Sequence, residues 1–552
     1  MKFLVRLLQI LGLAAVTLLA FAARCHNLQD TLLQGRIYFV DDDCYSRMTR
    51  VQLLEQHPGS IIRHHDFENY PAGVDSHATA PLDYLILTGK ALLDVTFARA
   101  PWGKNSVLAP QTRDLAGALV SPLLGAATAL FLALWGWRIT ATMCPGQRTL
   151  RVTAAIAPSV LFSLSSILLH GTLLGRPDHQ SLLIFLLTIS LGAEAMLLRP
   201  RDSVSPASQR RWAIVAGVAW GLAIWVSLFE PPILLAATAL LILVVDRRSL
   251  RSRDRAYEAG CIVGIALLFL LLEGWRFHAL APEVIRYFPA WSRTIGELSS
   301  VAPFSPIFRQ WVGYLCFLAP ALLVLACWRN RQAGLWIGLL LLAYALTCWQ
   351  IRWSYFFALL FCLSLPWQLV ALRRWWLAAP LFLLSLFGVA EFWDGVFFPA
   401  MGANEIGTRR REKILLRDIA SHLQGDRPQP FIAPWWESPA LAYWSGQPGV
   451  GGSSHESLPG IVDVSTFYTC VPSPTDDRAQ QILRRRKVAY VVVDDAARML
   501  EPATALLGTP APPNCLAYRL NDDPNNAVPF LEPIYANSFF KVFAVDRTQL
   551  GE

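Results

Sequence analysis

Long apolar runs dominate the chain. Eleven of them stand out, at 5–24, 114–137, 152–174, 181–198, 212–229, 231–245, 259–277, 309–327, 333–350, 354–371 and 375–398. Most reach or approach the roughly 20 residues that a helix needs to cross a bilayer. They predict a mainly α, polytopic membrane protein with about eleven transmembrane helices. The sixth run is short and follows Pro231-Pro232, which suggests a broken or re-entrant pair. The first has a basic start, an apolar core from Leu7 to Ala23 and small residues at its end. A cleaved signal peptide has that form. An uncleaved first helix fits better, because the charge pattern described below needs it.

The pattern changes after Phe398. AYVVVDD (489–495) and FFKVFAV (539–545) read as strands, and Arg409 through His422 reads as a helix. The predicted organisation is a membrane domain, 1–398, followed by a small α/β domain, 399–552. Two longer segments lie between the runs, 25–113 and 278–308, and 25–113 is too long to be a simple connector. The first carries HHDFENYPAGVDSHATAP, where short amphipathic helices lying on the membrane surface are expected.

Composition agrees, with 54% hydrophobic and 16% charged residues. The net charge of +8 could suggest nucleic acid. Its placement argues otherwise. Arg138, Arg148 and Arg151 share one short loop, and Arg199, Arg201, Arg210 and Arg211 another. Arg247, Arg248, Arg251, Arg253 and Arg255 follow, then Arg329 with Arg331, then Arg373 with Arg374. With the N-terminus inside and an odd number of spans, all fall on the cytoplasmic side, as the positive-inside rule requires. The other side then receives 25–113, the turn 175–180, 278–308, the turn at Arg352 and the whole tail. Five cysteines (Cys261, Cys316, Cys327, Cys348 and Cys362) lie in apolar runs and read as small apolar residues. Cys470 and Cys515, in the tail, are candidates for a disulfide.

Acidic sites collect on that external side. Asp41-Asp42-Asp43 follows the first run and precedes Tyr45, Arg47 and Arg50. It is either a solvated loop or a metal-holding helix start. Gly175-Arg176-Pro177-Asp178-His179-Gln180 is squeezed between two runs. It is either a topology-fixing turn or a metal site, with Asp178 as ligand and His179 or the weaker donor Gln180 beside it. Thr294-Ile295-Gly296-Glu297 is either an exposed loop or a source of a third carboxylate. Arg352 is either an interface anchor or a phosphate contact. Trp435-Trp436-Glu437 precedes Tyr443, Trp444 and GVGGSSHES (449–457). The pair is either core or one wall of a peptide or sugar pocket, with glycines that permit close backbone approach.

In order, these segments resemble the motifs of the oligosaccharyltransferase catalytic subunits, the single-subunit asparagine-glycosylating enzymes with the GT-C membrane fold. Asp43 within DDDCYSR resembles the family's first acidic motif. Asp178-His179-Gln180 resembles its D-x-D or DHH motif, and Thr294-Ile295-Gly296-Glu297 its TIxE motif. Arg352 matches a family arginine, and Trp435-Trp436-Glu437 is similar to WWD. Two motifs depart from the pattern, with Gln180 ending the second and glutamate replacing the WWD aspartate. The membrane part is also shorter than the usual thirteen spans.

The resemblance implies a polyprenyl-pyrophosphate sugar donor and an inverting transfer outside the membrane. Asp43, Asp178, His179 and Glu297 would hold Mg²⁺ or Mn²⁺, and Arg352 the donor pyrophosphate. Asp43 and Glu297 would contact the acceptor amide, and Trp435, Trp436 and Glu437 would dock an acceptor polypeptide. It implies a bacterial inner-membrane enzyme with its site and tail on the periplasmic side. Two alternatives remain. One is a GT-C transferase whose acceptor is lipid A, a polysaccharide or another lipid. The other is a membrane transporter, for which Glu230 and Glu273 near span ends are the only support.

Overall fold

A computed structural model describes residues 2–100, 106–199, 205–275, 282–425, 427–473 and 476–550. Arg201 and the first residues of the 278–308 segment lie outside these. The chain forms two compact units. The first comprises Met1–Thr31, Ala78–Gly274 and Ser299–Ala400; the second comprises Leu32–His77, Trp275–Leu298 and Met401–Glu552.

The first unit is helical, and every apolar run of the sequence lies on a helix. In chain order these are Lys2–Arg24, Thr112–Met143, Arg148–Leu164 with its continuation Ser166–His170, His179–Leu197 and Pro206–Val226. Glu230–Val245, Arg253–Glu273, Leu315–Arg329, Ala333–Trp349, Ser354–Ala371 and Trp375–Phe397 follow. Among the described residues, five helices are long and apolar enough to cross a membrane on their own, and four more are apolar but shorter. The chain is a multi-pass integral membrane protein. Ser354–Ala371 sits at the centre, and 94% of the apolar window containing it is buried. Arg253–Glu273 lies at the rim with 17% buried, and it exposes Leu267 and Leu271 to the bilayer.

The expected break at Pro231-Pro232 takes the form of two separate helices. Pro206–Val226 ends before Ser227, and Glu230–Val245 begins with the prolines in its first turn, where no backbone donor is lost. Within 25–113, HHDFENYPAGVDSHATAP does not form the expected short helices: His64–His65 pairs antiparallel with Val74–Asp75, and the 20-residue helix Ala80–Arg99 begins only at its end. Helices approach closely at small residues. A side chain at Gly136 would overlap the Ala155 carbonyl, and one at Gly217 the Glu258 carbonyl. The buried Arg24 donates to Thr172 Oγ1 at 2.7 Å and to the Ala20 carbonyl at 2.9 Å, and it lies over the Phe162 ring. A cation placed so deep needs such partners.

The second unit is built on a four-stranded sheet. Phe431–Ile432 pairs parallel with Tyr490–Val493, which pairs antiparallel with Lys541–Val545, and Leu531–Ala536 closes the far edge. The two central strands are the ones that the sequence predicts. Tyr490 faces Ala544, and Val493 faces Lys541. The predicted helix is Ala403–Ala420. Cys470 and Cys515 are buried free thiols, so no disulfide links them here, although the Leu516 amide donates to the Cys470 carbonyl at 2.8 Å.

Leu32–His77 joins this unit through backbone pairing. The Gly449 amide donates to the Phe67 carbonyl at 2.9 Å, and the Tyr70 amide donates back to Gly449 at 3.2 Å. The helix Leu458–Thr469 presses on this junction at Gly460, where a Cβ would overlap the Val450 carbonyl. Backbone cannot yield as a side-chain tip can. Gly460→Ala is therefore expected to destabilise this unit by about 2–3 kcal/mol. Limited proteolysis should cut the 449–457 segment sooner in the variant, and equal cutting would contradict the packing.

Candidate functional site

The expected site residues divide between the units, with Asp178, His179 and Arg352 in the first and Asp43, Glu297 and Trp435-Trp436-Glu437 in the second.

In the first unit the GRPDHQ turn is held from several sides. Gly175 has a φ of +76°, a conformation that only glycine adopts freely, and its amide donates to the Ala118 carbonyl at 3.0 Å. Arg176 is buried and donates to His170 Nε2 at 2.9 Å. This leaves His170 Nδ1 to donate to the Tyr355 hydroxyl at 2.8 Å. Asp178 caps the helix His179–Leu197 by accepting the His179 amide at 2.6 Å. It also meets His179 Nδ1 at 2.7 Å and the Arg176 guanidinium at 3.6 Å. The Gln180 amide nitrogen, turned toward this carboxylate, donates to Asp178 Oδ1 at 2.7 Å. Gln180 thus orients Asp178 rather than offering an oxygen of its own.

Arg352 stands in the turn Ile351–Trp353. Its Nη2 lies 2.5 Å from Glu230 Oε1, and its guanidinium rests over the Phe229 ring. Glu230 is 2% exposed, and Arg352 is its ion-pair partner. The sequence reading noted Glu230 only as an acid near a span end. An ionisable residue heading an apolar run is the signal that could have placed it here.

In the second unit Asp41 caps the helix Asp42–Gln56 by accepting the Cys44 amide at 3.1 Å. Asp42 and Asp43 then occupy the first turn, where the helix dipole favours negative charge. Asp43 is exposed, whereas Cys44, Tyr45 and Arg47 are buried behind it. Tyr45 packs edge-on to Trp444 at 4.9 Å, which ties this helix to Ser438–Ser445, the helix that follows Trp435-Trp436-Glu437. Glu297 is half-buried in the short turn Gly296–Leu298. Its neighbours Ile295 and Leu298 pack with Trp291, Leu458, Ile461 and Trp435. One apolar cluster therefore holds both the Glu297 turn and the first tryptophan of the pair.

Trp435 and Trp436 are half-buried and perpendicular, with ring centroids 5.6 Å apart, beside Met499, Pro502 and Tyr468. Glu437 turns the other way. It is 5% exposed, and one of its oxygens lies within 4.8 Å of carboxylate oxygens of Glu412 and Asp494. Arg498 bridges those two, at 2.6 Å from Glu412 and 3.1 Å from Asp494. Burial first, and the Asp494 charge second, hold the Glu437 carboxyl well above the usual carboxylate range.

A further group was not read from the sequence. Single ligand atoms of His77, His455 and Glu456 lie within 4.8 Å of one another, with His77 Nδ1 2.8 Å from Glu456. The two imidazoles hold the Glu456 carboxyl below the usual range. Glu68, buried nearby, accepts from Ser46, one turn after Asp43, and burial pushes it up to about 7. A side chain at Gly452 would overlap this carboxyl, so the glycine-rich stretch does approach closely, but toward Glu68. Histidines at 77 and 455 are far apart in sequence, and no spacing rule joins them.

No protein-family model matches the chain, and no curated protein matches it in sequence. Its fold is shared with solved proteins. The oligosaccharyltransferase AglB of Archaeoglobus fulgidus, in complex with an inhibitory peptide and a dolichol-phosphate, superposes with a TM-score of 0.63 at 14% identity. That match covers 91% of this chain and 71% of AglB. A structure of the same archaeal enzyme with Zn and sulfate gives 0.60 at 13% identity, covering 98% and 73%. ArnT of Cupriavidus metallidurans gives 0.51 at 14% identity and covers 98% of both chains. The fold is the GT-C membrane architecture that the sequence motifs imply.

Proposed function

We propose that the chain is a membrane glycosyltransferase. It would move a glycan from a polyprenyl-(pyro)phosphate donor to an acceptor on the extracytoplasmic face, with protein asparagine as the acceptor. The observation that carries this reading is the composition of the second unit. One body holds the Asp43 helix, the Glu297 turn and the tryptophan pair, tied through Tyr45–Trp444 and the cluster around Trp291. The fold shared with AglB, whose structure contains a peptide and a dolichol-phosphate, points the same way. On this reading the membrane is a bacterial inner membrane, with the second unit in the periplasm.

Asp43, Asp178, Glu297 and His179 are hard oxygen and imidazole donors, a set that suits Mn²⁺ or Mg²⁺. Such an ion, when bound, would neutralise charge on the leaving pyrophosphate. The residues themselves do the rest. Gln180 and Arg176 orient Asp178. Arg352, aimed by Glu230, binds pyrophosphate oxygens. Asp43 and Glu297 accept hydrogen bonds from the acceptor amide. As its nitrogen bonds to the anomeric carbon, the bond from that carbon to the pyrophosphate oxygen breaks, with inversion. The amide proton leaves to a carboxylate, and the lipid pyrophosphate departs. Trp435 and Trp436 dock the acceptor.

The placement of Glu437 favours a second reading, in which the acceptor is a lipid or a polysaccharide. Glu437 is buried beside Asp494 and Glu412, so on this second reading it is not the group that meets a Ser or Thr of an acceptor sequence. If Glu437 only packs, Glu437→Gln should keep transfer within about threefold, because the amide has the same shape as the buried carboxyl and still hydrogen-bonds. A loss of a hundredfold would restore it as an acceptor contact.

The test is transfer by purified protein given lipid-linked oligosaccharide, Mn²⁺ and a fluorescent Asn-x-Ser/Thr peptide. A metal-dependent peptide shift, absent in Asp43→Ala, establishes asparagine glycosylation. Donor consumption only when cell-envelope lipid is added moves the assignment to the second reading.

A further inference from the structure

The arginine-rich turns of the first unit surround a cavity of about 570 Å³ that the proposed transfer does not use. Ends of five long helices converge on it: His179–Leu197, Pro206–Val226, Glu230–Val245, Arg253–Glu273 and Ala333–Trp349. Arg199, Arg248, Arg255 and Arg331 line it, against Asp246 and Asp254.

Arg255 is fixed in place. Its Nη1 lies 2.6 Å from Glu194 and 2.5 Å from Glu258, and Trp220 donates to Glu194 at 3.3 Å. Those two acids outweigh Arg255 by one formal charge, so with Arg199, Arg248 and Arg331 set against Asp246 and Asp254 the described side chains sum to zero, while three further arginines still line the cavity. Asp246 is partly committed as well, because it accepts the Ser249 amide at 3.3 Å. Three buried donors in the wall have no acceptor among the described residues: Arg199 Nε, Gln209 Nε2 and Arg255 Nη2. Gln209 is 6% exposed. Buried donors left unpaired are costly, and an oxygen-rich ligand would satisfy them without displacing other partners. Leu197, Leu198 and Val245 add an apolar side to the same cavity.

We propose that this cavity binds a hydroxyl-bearing phosphodiester or phosphomonoester. Arg199, Arg248 and Arg331 take the phosphate, and Asp246 and Asp254 accept from the hydroxyls. A basic pocket between membrane helices suits the headgroup of an anionic phospholipid such as phosphatidylglycerol. Soluble glycerol phosphate offers the same groups without acyl chains.

The experiment uses the full chain in detergent. Thermal melting and native mass spectrometry would follow added phosphatidylglycerol, phosphatidylcholine or glycerol phosphate. Phosphatidylglycerol should raise the melting temperature and be retained, and phosphatidylcholine should do neither. Arg199→Ala with Arg331→Ala should weaken retention by roughly fivefold per arginine. Arg331 is exposed, so Arg331→Gln alone is a variant whose folding is not in question, and it should show the single-arginine loss. A saturable shift with glycerol phosphate, lost in the same variants, assigns the site to a free phosphate. Equal retention of both lipids, or unchanged retention in Arg331→Gln and the double variant, overturns the proposal.

Discussion

Replacing Asp43 by alanine should lower glycan transfer by about 10²–10³-fold while leaving the melting temperature within a degree or two. The two halves of this expectation have separate causes. Asp43 is exposed in the first turn of its helix, and the cap that starts the helix is Asp41, which the substitution leaves in place. Substituting an exposed residue away from caps and cores shifts stability by less than about 0.5 kcal/mol. The activity loss follows only if the carboxylate meets the reacting groups. Asp42→Ala, one position earlier in the same turn, is the control and should retain most activity. Equal activity in both variants, measured by gel shift of the labelled acceptor, would remove Asp43 from the mechanism.

Arg352→Ala should cost both stability and activity, and the two losses can be separated. Glu230 is almost fully buried and has Arg352 as its ion-pair partner at 2.5 Å. Removing the arginine strands that carboxylate, which costs about 3 kcal/mol for a buried pair. Adding Glu230→Gln removes the stranded charge and should return most of the lost melting temperature. Transfer should stay about 10²-fold low in the double variant, because the proposed pyrophosphate contact is still missing. Arg352→Lys should recover only part of it, since a single ammonium cannot reproduce the planar fork. Recovery of full transfer in the double variant would reduce Arg352 to a structural ion pair.

The same pair bears on how a donor would bind. The guanidinium is committed to Glu230 and lies over the Phe229 ring. Such a cation is preorganised, so little side-chain entropy is lost when a phosphate arrives. Gln180 plays a comparable part for Asp178 by donating to it from two positions along the chain. At this position the chain carries a hydrogen-bond donor to Asp178 rather than an acid or a histidine.

Hydropathy and strand patterning are local properties, and what depends on them was legible from residue order. The eleven apolar runs fall on helices because a helix satisfies its backbone hydrogen bonds within a single segment in hydrocarbon. AYVVVDD and FFKVFAV became paired central strands because their apolar residues suit a sheet buried on both sides. The GT-C fold was readable as well, through the resemblance of the ordered motifs, although identity to AglB is only 14%.

What tertiary structure decided are the pairings between distant residues. Residue order could not show that Leu32–His77 and Trp275–Leu298 fold with the tail, because that rests on backbone bonds from Gly449 to Phe67 and on side chains meeting around Trp291. Nor could it show that Glu437 turns inward to Asp494 and Glu412, or that Glu230 faces Arg352 across 122 positions. The charge state and accessibility of an acid depend on burial and on the charges around it. Both are set by the fold rather than by neighbours in sequence.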